Sequence, residues 1–270
     1  MIPAHAMRVA GHFGELIQGR LGPDGSLALI SLPCPALTVT AWSRPGRQLS
    51  LHGARVLTTQ RAHRFLRLLN LPLRAPVLLR AEMEVGGGAG SSTAALVALA
   101  RVAGWRGAPL ELARACLAVE GATDPLMFAR AERMLWASRR AEALAALPAL
   151  PAFEVLGGFH GRGQRTDPQD QNFPDIADLV QDWGRARALT DWAALASESA
   201  RRTLDLRHRG ADPVADLARA TGALGYVIAH TGSARGLIFA PQTVPEGARA
   251  MMQEAGFRGV LRFRAGGDGQ

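Results

Sequence analysis

The segment whose composition most directly implies chemistry is Gly86-Gly87-Gly88-Ala89-Gly90-Ser91-Ser92-Thr93. A glycine run that enters a helix lets several backbone N–H groups converge on one spot with no Cβ in the way, the arrangement that grips a polyphosphate. Charge-assisted hydrogen bonds contribute about 1.5 to 3 kcal/mol each and a helix terminus about 0.3 to 1 kcal/mol, so three or four such amides give micromolar affinity. The hydroxyls of Ser91, Ser92 and Thr93 are then placed to reach a phosphate oxygen or a Mg²⁺ ion. Two better-known loops do not fit. A Walker loop needs a lysine before its Ser/Thr, and this chain contains no lysine; the dinucleotide fingerprint G-x-G-x-x-G meets Ser91 where its last glycine belongs. The competing reading is a flexible connector whose Ser91 or Ser92 only caps the next helix.

Phosphoryl transfer to an alcohol is mostly positioning and charge neutralisation, so a phosphate loop calls for a carboxylate to hold the attacking hydroxyl. Val119-Glu120-Gly121-Ala122-Thr123-Asp124-Pro125 carries two. If the segment is helical, the spacing of four puts Glu120 and Asp124 on one face, where they can share a Mg²⁺. Asp124 also has a structural reading: ahead of Pro125 and Leu126-Met127-Phe128 it makes a good N-cap with proline at the first helical position.

These residues need elements to position them. Phe13–Gln18 and Leu27–Leu32 read as a hairpin around the turn Gly22-Pro23-Asp24-Gly25, Leu37–Trp42 as a further strand, and Thr59 as the cap of a helix with Phe65, Leu66 and Leu69 on one face. Residues 77–85 alternate apolar and polar and predict a strand running straight into the glycine loop; Ala94–Ala100 predicts the helix after it. Pro109–Val119 and the alanine-rich Leu126–Leu147 read as helices, residues 157–175 as an irregular connection, and Trp192–Leu204 as helical. From Asp212 onward the expected order is helix to Gly225, strands Tyr226–His230 and Gly236–Ala240, helix Pro245–Gly256 and strand Phe257–Arg264, a packed α+β pattern.

With 270 residues, 48% of them hydrophobic, the chain can bury one large core or two modest ones. The formal net charge of +8 comes from arginine alone. Its arginines run from Arg8 to Arg264 and aromatic residues make up only 6%, which argues against nucleic acid and suits small anionic substrates such as nucleotides. Cys34 and Cys116 are too few for a disulfide framework or a thiolate metal site. No leader-like N-terminus and no run of 18 apolar residues is present, so a cytoplasmic protein without membrane contact is expected.

Three stretches, in order, resemble the GHMP kinases. Gly86–Ala95 is similar to the second signature of that family. Gly11-His12-Phe13-Gly14-Glu15-Leu16-Ile17-Gln18-Gly19, followed by Ile30-Ser31-Leu32-Pro33-Cys34-Pro35, resembles the opening of the L-threonine kinases of cobalamin (vitamin B12) biosynthesis. His230-Thr231-Gly232-Ser233-Ala234-Arg235-Gly236-Leu237 resembles the third signature. The resemblance spans residues 11–240 and implies an α+β fold of two halves: a ribosomal-protein-like, ATP-binding half over 1–155 and a ferredoxin-like half over 156–270, with the nucleotide between them.

It further implies a transferase that uses ATP and Mg²⁺ to convert L-threonine to O-phospho-L-threonine. Residues 119–125 resemble the Glu-Pro-Thr-Asp motif of the threonine kinases, with Gly121-Ala122 in place of one proline. By that resemblance Gly86, Gly87, Gly88, Ala89, Gly90, Ser91, Ser92 and Thr93 bind the nucleotide, Ser92 and Glu120 hold the metal, and Asp124 takes or orients the hydroxyl proton. Glu15, Gln18, His230, Thr231, Gly232 and Arg235 fall on the substrate side, Arg235 being the natural partner of a substrate carboxylate. Where some relatives use a lysine near the first motif, His12, Arg8 or Arg235 must serve. A kinase for homoserine or an isoprenoid alcohol, and a non-catalytic nucleotide- or RNA-binding protein of the same fold, remain the alternatives; a homodimer is compatible with all of them.

Overall fold

The computed structural model of the chain describes residues 3–267 apart from 4, 85, 165, 166, 168, 208–210 and 231. The turn at Gly22–Gly25 joins β1 (Met7–Arg20) to β2 (Leu27–Ser43), which pair antiparallel from Met7↔Ala41 to Arg20↔Leu27. The expected hairpin is present but longer, and Leu37–Trp42 is the continuation of β2, not a separate strand. Register shifts after Ala10, His12 and Glu15 account for the difference: bulges bend a strand without ending it. Beyond β2 lie β4 (Pro76–Ala81) and, parallel to β4 at the edge of the sheet, β3 (Ser50–Gly53). Helix α1 (Thr59–Leu68) connects them; its cap is Thr58, one residue earlier than expected, whose Oγ1 accepts from Arg61 N at 3.2 Å.

β4 stops at Ala81, short of the expected strand over 77–85, and the glycine loop leads into α2 (Ser91–Val102). This helix is buried from Thr93 to Ala100, and its alanines let β1 and β2 pack close against it. α3 (Pro109–Glu120) starts with proline in its first turn and ends at Gly121 in the left-handed conformation, φ 77°.

The helix expected over Leu126–Leu147 is replaced by a 3₁₀ turn at Ala131–Arg133 and the hairpin β5 (Met134–Ala137) and β6 (Glu142–Ala146). Tertiary pairing overrides alanine propensity here: β5 joins β2 at Leu29↔Trp136, and Trp136 is fully buried. β7 (Phe153–Phe159) likewise carries the chain to Phe159 before the irregular connection begins, and all seven of its residues are buried. Two helices follow, α4 (Ala177–Arg185), which sequence reasoning missed, and α5 (Leu189–Arg207). The expected C-terminal order is then met: α6 (Val214–Thr221), β8 (Gly225–Ile228), β9 (Ala234–Phe239), α7 (Ala248–Glu254) and β10 (Arg258–Ala265).

One sheet runs β10-β7-β9-β8-β1-β2-β4-β3, with β5 and β6 attached to β2. It is strongly curled. Phe13 on β1 meets Phe159 on β7 and Phe263 on β10 edge-on at centroid distances of 5.5 and 5.6 Å, although β10 lies four strands away along the sheet. The division expected between residues 155 and 156 falls inside β7. No described helix is long and apolar enough to cross a membrane.

Trp136 donates from Nε1 to Thr123 O at 2.7 Å and packs edge-on against Phe128, so it anchors the chain beside Asp124. Trp136→Ala is expected to lower the unfolding free energy by about 3 to 5 kcal/mol in urea titrations; a loss below about 1 kcal/mol would contradict this packing.

Candidate functional site

The glycine loop is fixed by its own carbonyl groups. Gly86 O accepts from Gln164 N at 2.9 Å, Gly87 O from Ala234 N at 2.9 Å, Gly88 O from Gly14 N at 3.4 Å and Ala89 O from His12 N at 3.2 Å. Gly86, Gly88 and Gly90 have φ of 78°, 75° and 70°, while Gly87 and Ala89 do not have positive φ. Left-handed backbone at every second residue turns successive peptide units, the kind of arrangement from which anion-binding concavities of amides are built. The cap of α2 is Gly90, without a side-chain hydrogen bond, so neither Ser91 nor Ser92 serves as the cap. Gly232 of the third motif is pressed on the loop: a Cβ there would stand 2.2 Å from Gly87 C and Gly88 N. These backbone contacts bring the three sequence motifs to one place.

His12 links the loop to Asp124. Its Nδ1 faces Gly14 O at 3.2 Å and Glu15 Oε1 at 3.3 Å, and its Nε2 faces Asp124 Oδ2 at 3.4 Å. Thr93 Oγ1, in the first turn of α2, donates to the same Oδ2 at 3.4 Å. Burial alone would hold the imidazole down, but the Glu15 and Asp124 carboxylates outweigh it and raise His12 to about 9. Burial pushes Glu15 up to about 8 even with His12 beside it. Ser31, opposite Glu15 in the β1–β2 ladder, draws its acidity slightly the other way, although neither Ser31 Oγ nor Glu15 Oε2 completes a hydrogen bond. Against the burial that would raise it, His12 and Thr93 hold Asp124 below the usual carboxylate range. The cluster thus favours the protonated forms of His12 and Glu15 and the ionised form of Asp124.

The ligand atoms of His12, Glu15 and Asp124 lie within 4.8 Å of one another, which is also metal-site spacing. Both ring nitrogens of His12 face acceptors, so the imidazole bridges the two carboxyl groups. Asp124 caps no helix, because a turn closed by Phe128 N to Pro125 O follows it; the capping reading fails.

The other expected site residues are distributed as follows. Ser92 lies half-buried at the start of α2, beside the loop. The helix ends at Gly121, so Glu120 shares no helical face with Asp124, and its Oε1 pairs with Arg61 at 3.3 Å. Glu15 is held by His12 within the cluster. Gln18 is buried and donates to Ile228 O at 3.2 Å, tying β1 to β8. Arg235 is buried, with Nε on Asp212 at 2.8 Å and NH1 on Gly232 O and Ala234 O, so it braces the third motif and offers little to a carboxylate. His230 stacks on Phe173 at a centroid distance of 3.7 Å and contacts Arg207 and Asp170. Thr231 lies outside the described residues.

Stability should follow the cluster's protons. His12 in the fold binds its proton more tightly than the ordinary 6.5, so its contribution is full below pH 6.5 and is lost as pH rises through about 9. Glu15, raised from 4.5 to about 8, also favours the protonated fold and gives a slope of the same sign. Urea unfolding stepped from pH 6 to 9 is expected to show stability falling, with a flatter profile for His12→Gln; a rise with pH in the wild type would contradict the bridge.

No family model matches the chain, and no curated protein matches it in sequence. Solved structures do. Mevalonate kinase from Methanococcus jannaschii superposes with TM-score 0.67 at 12% identity, covering 97% of this chain and 98% of that one. Homoserine kinase from Cytophaga hutchinsonii gives 0.59 at 14%, covering 98% and 96%. A 4-(cytidine 5'-diphospho)-2C-methyl-D-erythritol kinase gives 0.55 at 20%, covering 97% and 99%. End-to-end coverage at such low identity is a likeness of fold, and this α+β chain with its curled sheet has the fold of the GHMP kinases.

Proposed function

We propose that the chain is an ATP- and Mg²⁺-dependent small-molecule kinase acting on the side-chain hydroxyl of L-threonine, with O-phospho-L-threonine as product, in cobalamin biosynthesis. The observation that carries the kinase reading is Asp124, a carboxylate kept ionised by His12 and aimed by Thr93 beside an amide-lined loop. The loop fits a polyphosphate because its carbonyls are engaged inward and its alternating φ is the kind from which anion-binding concavities of amides are built. Bound there, MgATP would supply the phosphoryl group and the metal would neutralise its charge.

The chain's own residues do the rest. Asp124 receives the proton of the acceptor hydroxyl, and His12 keeps that carboxylate deprotonated between turnovers, the charge-holding role for which no lysine exists here. Ser92 would hold the metal alongside the phosphate oxygens; Glu120 joins only by releasing Arg61. For an amino-acid carboxylate, Arg139 is the better placed arginine: it follows Ser138, whose carbonyl accepts from Thr123 N at 2.9 Å, whereas the side chain of Arg207, like that of Arg235, is buried and already paired with an aspartate. Homoserine, one carbon longer between hydroxyl and amine, is the second reading, favoured by the fold shared with a homoserine kinase.

ADP release and product mass should be measured for L-threonine, L-serine, L-homoserine, mevalonate and 4-(cytidine 5'-diphospho)-2C-methyl-D-erythritol. L-Threonine is expected to give the highest kcat/KM; ADP release no faster than ATP alone with every alcohol would sink the kinase reading. Asp124→Asn is expected to lower kcat by about 100-fold or more while nucleotide affinity persists. A fully active but less stable variant would mark Asp124 as structural.

A further inference from the structure

The charge of this chain is less evenly placed than the spread of its arginines suggests. All 23 acidic residues lie outside residues 25–81, a stretch that holds eight arginines. The remainder of the chain balances, with 23 arginines against 23 acids, so the whole net charge of +8 resides between Arg44 and Arg80. A general preference for arginine would enrich it everywhere and would not remove Asp and Glu from one segment.

The fold gathers this segment at one end of the sheet. Arg44 N bonds Pro76 O at 2.9 Å, which brings Arg44 and Arg74 to one end of the edge pair β3–β4; Ala54 N bonds Leu79 O at 2.8 Å, which brings Arg55 and Arg80 to the other. Helix α1 adds Arg61, Arg64 and Arg67 along about 9 Å of its length. All eight guanidinium-bearing residues are exposed. Arg61 pairs with Glu120 and Arg80 with Glu82, while Arg44, Arg47, Arg55, Arg64, Arg67 and Arg74 have no carboxylate partner among the described residues. The arginines of α5 behave differently: Arg201 and Arg202 are both matched to Glu198 and neighbouring aspartates.

We infer that the β3–α1–β4 end of the sheet is a second binding surface, for the phosphate backbone of a single-stranded nucleic acid, separate from the glycine loop. Charge on an edge strand by itself discourages sheet pairing, but these arginines extend over α1 and both flanking loops. A protein partner would be expected to meet an apolar, aromatic centre; here Leu68 is the one large exposed apolar side chain and no Phe, Trp or Tyr is exposed. Protein–nucleic acid interfaces are far more positive, and guanidinium groups match phosphate oxygens bidentately. Without exposed Phe, Trp or Tyr the surface reads backbone charge and not sequence.

The test is fluorescence anisotropy of a labelled 20-nucleotide single-stranded RNA of mixed sequence with the full chain. Four to six phosphate contacts predict about a 50- to 300-fold loss of affinity between 50 and 200 mM KCl. The variant carrying Arg47→Glu, Arg64→Glu and Arg67→Glu should bind at least about 10-fold more weakly with a shallower salt dependence. A charge-matched control carrying Arg185→Glu, Arg219→Glu and Arg249→Glu should bind as the wild type does. Saturating MgATP should leave RNA binding unchanged, and circular dichroism should show both variants folded. No RNA binding at 50 mM KCl, equal loss in the two variants, displacement of RNA by MgATP, or tighter binding of polyglutamate than of RNA would each overturn the inference.

Discussion

The structure depends on four backbone hydrogen bonds in which carbonyl groups of the glycine loop accept from other segments. Gly86, Gly87, Gly88 and Ala89 are held by Gln164, Ala234, Gly14 and His12, so the connector after β7, the strand β9 and the strand β1 all terminate their contacts on one loop. Facing the carbonyls inward requires left-handed backbone at alternate positions, which glycine adopts at little cost and side-chain-bearing residues do not. It also requires a neighbour with no Cβ, supplied by Gly232. Chain segments far apart in sequence therefore meet because each supplies a donor or a gap that the loop needs.

Electrostatics beside the loop follows from burial. An isolated carboxylate taken out of water would be protonated and useless as a proton acceptor. Placing His12 between Glu15 and Asp124 resolves this: the most enclosed acid, Glu15, stays neutral, and the half-buried Asp124 keeps its charge beside an imidazolium. The ion pair is balanced, so the site does not carry the desolvation cost of an uncompensated charge. Thr93 connects the pair to the first turn of α2, making the direction of the Asp124 carboxylate a consequence of the same loop geometry.

Much of this was legible locally. The hairpin turn at Gly22–Gly25, the strand–loop–helix order around residues 77–100 and the C-terminal α+β pattern rest on turn chemistry and periodicity, which are properties of neighbouring residues. The stop of α3 was also readable, since Gly121 is a typical helix terminator, and it should have ruled out a shared helical face for Glu120 and Asp124. What could not be read is tertiary in origin. Alanines in 126–147 favour a helix until Trp136 is needed in the core and β5 on the edge of β2. His12 and Asp124 are far apart in the chain and no spacing rule joins them. Arg235 looked like a substrate ligand because its charge was visible and its partner Asp212 was not.

The central claim is that amides at Gly88, Ala89 and Gly90 cradle the polyphosphate of a magnesium-bound nucleoside triphosphate. Backbone amide NMR of the isotopically labelled chain, titrated with magnesium and a nonhydrolysable ATP analogue, tests it directly. The account predicts that these amides, with those of Ser91 and Ser92, show the largest shifts and saturate together. Saturable binding that leaves them unmoved while other amides respond would contradict it.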